Sequence, residues 1–155
     1  MIDANVLPAV FDVKNSEHPK FRPVLEWVSG KGFMVYGGTK YINELKRLAK
    51  FLGLIAELNR QGRTIQVPAE VVDPIAADLK KRFPEKGFND EHVAALVIAS
   101  GCQVVCTSDK RSIKYLKDAK MFASQGARCP KLFTGHSKNA QLCCPKRLVG
   151  QCRHR

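Results

Sequence analysis

At 155 residues the chain has room for one domain with its own hydrophobic core and too few residues for two. Apolar residues make up 45% of it, yet no apolar run approaches the roughly 20 residues of a membrane span. The opening Met1-Ile2-Asp3 lacks the basic lead and apolar segment of a secretory signal, so a cytoplasmic protein with no membrane partner is expected. The formal net charge is +12, and it is unevenly spread. Residues 1–100 carry 14 Lys+Arg against 12 Asp+Glu, whereas residues 101–155 carry 12 against 2. The basic field belongs to the C-terminal third, and nucleic acid is a better expected partner for it than a membrane surface.

In chain order, Met1-Ile2 reads as a very short first strand. Asn5 to Phe11 forms a helix despite Pro8, and His18-Pro19 starts another with Phe21, Val24, Leu25 and Val28 inward. Phe33 to Tyr36 is a short strand closed by Gly37-Gly38, and Thr39 offers an N-cap. From Tyr41 to Ala56 apolar residues recur at helical spacings, with Gly62 just past the end. Thr64 to Val67 is a further strand. Asp73-Pro74 reads as an N-cap followed by proline at the first helical position, with Ile75, Ala76, Leu79 and Phe83 inward.

Asp90 opens a helix with Val93, Ala94, Leu96 and Val97 on one face and Gly101 as its stop. Gln103 to Thr107 is a continuous β-favouring run of the kind that suits a buried parallel strand. Ile113, Leu116 and Met121 mark another helix, and Lys131 to Thr134 a last edge strand. After Gly135 the pattern dissolves, giving a domain over 1–135 and a basic, Cys-rich tail over 136–155. Strands alternating with helices predict an α/β fold with a mainly parallel sheet, whose ligands bind beyond the carboxyl ends of the strands.

Asp3, Glu44, Asp90 and Asp109 all fall at or near such strand ends or helix starts. Gathered carboxylates raise one another's pKa unless a cation sits among them, and metal-dependent phosphodiester cleavage is the chemistry that most often requires such a set. Each has a plainer reading. Asp3 with Asn5, Asp90 and Asp109 are ordinary helix caps, and Glu44 is an ordinary exposed helix carboxylate. His92 is expected to be merely exposed, and Asp12, Glu70, Asp73 and Asp78 to be surface groups or caps.

At these residues the chain resembles the PIN-domain nucleases. The resemblance rests on Ile2-Asp3-Ala4-Asn5-Val6, on Tyr41-Ile42-Asn43-Glu44-Leu45, on Asp90-Glu91-His92-Val93-Ala94-Ala95-Leu96, and on Val104-Val105-Cys106-Thr107-Ser108-Asp109. It runs from about residue 1 to residue 135. It implies a three-layer α/β/α sandwich with a mainly parallel central sheet, Mg²⁺ or Mn²⁺, and endonucleolytic cleavage of RNA. Many family members are toxins paired with an antitoxin protein, so an antitoxin is implied as a partner beside RNA; separately, an apolar helix face near the N-terminus would allow a homodimer.

In this reading Asp3, Asp90 and Asp109 contact the metal directly or through water, and Glu44 holds a metal-bound water or a second ion. Asn5 orients Asp3, Thr107 and Ser108 fix Asp109 or touch the scissile phosphate, and Lys110, Arg111, Lys114 and Lys117 grip flanking phosphates. The competing class is a non-catalytic RNA-binding PIN-like module whose acidic site is vestigial.

Six cysteines complete the inventory: Cys102, Cys106, Cys129, Cys143, Cys144 and Cys152. Cys102 and Cys106 flank an apolar stretch and read as buried small hydrophobes. The other four share the C-terminal region with His136 and His154. They lack a Cys-x-x-Cys pair, and Cys143 is adjacent to Cys144, so stoichiometric zinc is not expected.

Overall fold

The computed structural model of the chain describes residues 1–84 and 88–147. Cys152 and His154, weighed above as zinc ligands, lie outside these residues. The chain begins with a 3₁₀ turn, Ala4–Val6, that runs into α1 (Leu7–Phe11) and then α2 (His18–Gly30). β1 (Met34–Gly37) leads through α3 (Thr39–Arg47) and α4 (Ala49–Arg60) to β2 (Thr64–Val67). α5 (Ala69–Arg82) and α6 (Glu91–Ser100) precede β3 (Val104–Cys106). α7 (Lys110–Leu116) and α8 (Ala119–Ala123) precede β4 (Lys131–Phe133), and 3₁₀ turns follow at Ser137–Leu142 and Pro145–Arg147.

The architecture is mixed α/β with short parallel strands, as the alternation predicts. β1 pairs in parallel with β2, Met34 opposite Thr64 and Gly37 opposite Val67. β3 pairs in parallel with β4, Val104 opposite Lys131 and Cys106 opposite Phe133. Among the described residues these are two separate two-stranded sheets. The first strand is a single parallel bridge of Ile2 to Cys106. Met34, Val35 and Val67 from one sheet share one hydrophobic core with Val105, Cys106 and Phe133 from the other, and α6 supplies Val93, Leu96 and Val97 to it. No described helix is long and apolar enough to cross a membrane.

Four local expectations need correction. Thr39 is the first residue of α3, and Gly38 is its N-cap. The helix expected over Tyr41 to Ala56 is broken at Leu48. Apolar spacings of three and four continue through the break, so periodicity alone does not reveal it. The helix expected to start at Asp73 starts at Ala69, with Pro74 inside it. Asp73 does not cap that helix. Its carboxylate instead accepts from the backbone N–H of Thr39 at 2.9 Å and from the Thr39 hydroxyl at 2.6 Å, tying α5 to the start of α3. The helix expected from Ile113 to Met121 is interrupted at Lys117–Asp118, and Asp118 caps α8 by accepting from Lys120 and Met121 N–H.

The turn from β1 into α3 is built on glycine. Gly37 has φ +149° and Gly38 φ +72°, and a Cβ on Gly37 would lie 2.1 Å from the Val67 carbonyl oxygen. Close pairing of β1 with β2 and the sharp entry into α3 both depend on that missing side chain. Residues 136–147 of the tail are more ordered than their composition predicts: Leu142 and Cys143 pack against the core, and the His136 ring accepts from Lys138 N–H to cap its first turn.

Candidate active site

Asp3 is placed by the bridge between the first residues and β3. Its backbone N–H donates to Cys106 O at 2.8 Å, and Cys106 N–H donates back to Met1 O at 2.9 Å. The buried Tyr41 hydroxyl donates to Ile2 O from α3, which fixes the residue before Asp3 from a second side. Asp3 is 7% exposed, and its carboxylate accepts from the Thr107 hydroxyl at 2.7 Å. Burial is the main influence that lifts its pKa above the usual aspartate range. The Thr107 hydrogen bond opposes that rise, and the nearby carboxylates Asp90 and Glu44 add to it.

Thr107 links two of the expected residues. It is fully buried and directly follows β3, with its N–H donating to Phe133 O at 3.0 Å. Its hydroxyl donates to Asp3 and accepts from Asp109 N–H at 3.1 Å. Asp109 caps α7, accepting from Arg111 N–H at 2.8 Å. The Arg111 guanidinium forks the same carboxylate, with Nε at 3.2 Å and Nη2 at 3.0 Å. Arg111 beside Asp109 holds its carboxyl below the usual range. The cap reading of Asp109 therefore stands.

Asp90 precedes α6 but makes no side-chain cap bond there. Its carboxylate accepts from the Ser112 hydroxyl of α7, and its charge is also felt by Arg111. Glu44, on α3, meets His92 Nε2 at 3.1 Å through Oε2. Asp3 senses both Asp90 and Glu44, and Asp109 and Asp90 both act on Arg111. No group of three or more His, Cys, Asp or Glu among the described residues is close enough to hold a metal ion as the side chains stand.

Other expected residues stand apart. The Asn5 side chain is exposed, and only its backbone N–H reaches Asp3, at 3.5 Å, so Thr107 rather than Asn5 orients that carboxylate. Ser108, Lys110 and Lys117 are exposed. Lys114 lies over the Tyr115 ring at 5.3 Å.

His92 corrects the expectation of an exposed histidine. It is 3% exposed, because α6 is buried on every side from Glu91 to Val97. Glu91, not singled out from the sequence, is 7% exposed and pairs with Lys40 of α3 at 3.1 Å. The run Val93-Ala94-Ala95-Leu96-Val97 carried the signal: a helix apolar all round is covered on both faces, and polar residues in its first turn are covered with it. Cys102 and Cys106 are buried as expected. Comparison of the chain with protein-family models, with curated proteins and with solved structures finds no match.

Proposed function

We propose that the chain is a divalent-metal-dependent endoribonuclease, built as the three-layer α/β/α sandwich of the PIN-domain nucleases it resembles. One observation carries the reading. A buried Asp3 is hydrogen-bonded through Thr107 to the Asp109 backbone, and the charges of Asp90 and Glu44 bear on it. A buried carboxylate set against two others is an unfavourable arrangement unless a cation offsets it. The donor set fits Mg²⁺ or Mn²⁺ in chemistry, since all four groups offer hard oxygens. Mg²⁺ also needs only one or two protein carboxylates beside water and substrate phosphate.

Asp3, Glu44, Asp90 and Asp109 are the residues that would hold the ion. When bound, the ion neutralises charge on the scissile phosphate and acidifies water. The residues of the chain do the rest. Thr107 fixes the Asp3 oxygen and the start of α7 at once. Ser112 orients Asp90, and His92 orients Glu44. Arg111 is exposed, and its fork suits phosphate as well as carboxylate, so a substrate phosphate competes with Asp109 for it. Lys110 stands exposed beside it, at the head of the basic C-terminal third. A toxin's role, with a protein antitoxin as partner, extends this proposal on the resemblance alone.

Purified wild-type and Asp3→Asn protein, incubated with structured RNA and Mn²⁺, test the proposal. Wild type is expected to cleave and Asp3→Asn to lose cleavage while keeping its circular dichroism spectrum. The variant is also expected to be more stable than wild type at neutral pH, because a desolvated charge has been removed. Equal cleavage by the two proteins would remove the acidic rim as the active site.

A further inference from the structure

The walls of an open cleft of about 420 Å³ come mainly from α3 and α5. α3 contributes Lys40, Asn43, Glu44 and Arg47, and α5 contributes Asp73, Ala76, Ala77 and Lys80. Both sets follow spacings of three and four, so each is one face of its helix. The bonds of Thr39 to Asp73 tie the two faces together at the start of α3. Beyond that tie, the short side chains of Ala76 and Ala77 leave space between the helices. The volume lies in the roughly 300–1,000 Å³ range of small-molecule sites, which is room for one nucleotide unit of a single strand and not for a duplex.

The charged side chains of this lining are balanced in number and unbalanced in use. Lys40, Arg47 and Lys80 stand against Glu44, Asp73 and Glu91. Each carboxylate has a bonded partner: Asp73 at Thr39, Glu91 at Lys40 and Glu44 at His92. Lys40 is taken up by Glu91 and the Asn89 carbonyl. Arg47 and Lys80 are exposed and have no bonded partner among the described residues. From Lys40 to Arg47 the helix rises roughly 10 Å, more than the Debye length of about 8 Å at physiological ionic strength. The paired groups at the start of α3 therefore do little to quench Arg47, and the only carboxylate on its own helix is Glu44. Arg47 and Lys80 also lie in the last turns of their helices, where any cation complements the helix dipole. Lys46 and Lys81 share that role in the same turns without lining the cleft. What sets Arg47 and Lys80 apart is a common cleft with Glu44.

We propose that Arg47 and Lys80 seat a backbone phosphate of single-stranded RNA, one that flanks the scissile phosphate on the Glu44 side. This assignment rests on reading Glu44 as part of a ribonuclease site. The Arg47 fork matches phosphate oxygens in pairs, and Lys80 adds a point charge. No phenylalanine, tyrosine or tryptophan among the described residues lines the cleft, so bases gain no aromatic platform there. The strand is held by its phosphate, without regard to sequence. None of the described lining residues belongs to residues 101–155, so this grip is separate from the basic C-terminal third.

The full chain, in metal-free buffer, is titrated into fluorescein-labelled oligo-U and oligo-A of about 12 nucleotides, with anisotropy read at several salt concentrations. Arg47→Ala combined with Lys80→Ala is expected to weaken both RNAs about tenfold, the scale of one hydrogen bond to a charged group. Its plot of log K against log salt is expected to be shallower by about 0.7, the value of one phosphate contact on a single strand. Lys46→Ala combined with Lys81→Ala removes the same charge from the same helix turns and is expected to change affinity less than about twofold. All four side chains are exposed, so both variants keep the fold. Equal weakening by the two variants would assign the effect to overall charge and overturn the subsite. A loss confined to one RNA, or no wild-type binding up to about 100 µM, would overturn it too. So would inorganic phosphate displacing the RNA more than about tenfold better than chloride at equal ionic strength, which would mark a site for a free anion. Without metal no cleavage enters the measurement. Failure of the ribonuclease reading therefore appears in the Asp3→Asn comparison, and failure of the phosphate subsite appears only in this titration.

Discussion

Replacing Thr107 with valine removes one oxygen and keeps the shape of the side chain. The hydroxyl donates to Asp3 at 2.7 Å and accepts from Asp109 N–H at 3.1 Å, so both bonds go at once. A hydrogen bond to a charged group contributes about 1.5–3 kcal/mol, and leaving the Asp109 N–H without its acceptor costs about 1 kcal/mol more. The expected loss at neutral pH is about 2.5–4 kcal/mol, a large share of the roughly 5–15 kcal/mol that holds a domain of this size folded.

The loss also has a definite pH dependence. The folded-state pKa of Asp3 is raised, so its contribution to stability is fullest below the ordinary value of 3.8 and declines as pH rises through the folded value. Thr107 is the strongest influence opposing that rise, and its removal lifts the folded pKa further. The valine penalty is therefore smaller at low pH, where Asp3 is protonated in both proteins, and grows as pH rises through the folded pKa. Urea unfolding followed by fluorescence of Trp27, the sole tryptophan, at a series of pH values measures it. In an Asp3→Asn background the penalty should fall by about 1 kcal/mol, as a charged bond becomes a neutral one. A penalty below about 0.5 kcal/mol, or one that does not change with pH, would refute the Thr107 linkage.

Gly37→Ala should lower stability by about 3 kcal/mol, since its new Cβ would meet the Val67 carbonyl at 2.1 Å with φ at +149°. Calorimetry showing an unchanged melting temperature would contradict the close pairing of β1 with β2. RNA affinity should fall steeply with salt, because residues 101–155 carry 12 cationic side chains against 2 anionic ones. About five phosphate contacts to single-stranded RNA give a slope near −3.5 in log K against log salt. A flat dependence in a filter-binding assay would dismiss the basic third as the RNA-holding surface.

What could be read in advance depended on how local each signal was. The β3 run ending in Thr107-Ser108-Asp109 was legible, because one strand and one cap lie within a few consecutive residues. So was the Gly101 stop of α6, where φ is +68°. The two-part fate of Tyr41 to Ala56 was not, since a one-residue break leaves the apolar spacing intact. Asp73 misled because Asp-Pro is a strong local start signal, and a partner 34 residues away overrode it. Glu44 was legible as a candidate but its tie to His92 was not, because that bond spans 48 residues and depends on α6 being covered. Carboxylates could be picked out by type and position, whereas the Ser112, Lys40 and Glu91 contacts that hold them exist only after the helices pack.

The hydrogen bond from Thr107 to Asp3 joins residues 104 positions apart. The strand that carries Thr107 is in turn seated on Phe133 O and β4. Closing so long a loop is entropically unfavourable and must precede any reward from the contact. Before β3 and β4 are in place, Asp3, Glu44 and Asp90 therefore lack the residue that fixes Asp3 and leads to Asp109. Under the proposed activity, cleavage requires β3 and β4 to be paired first, so assembly of that sheet would act as the last step in arming the site.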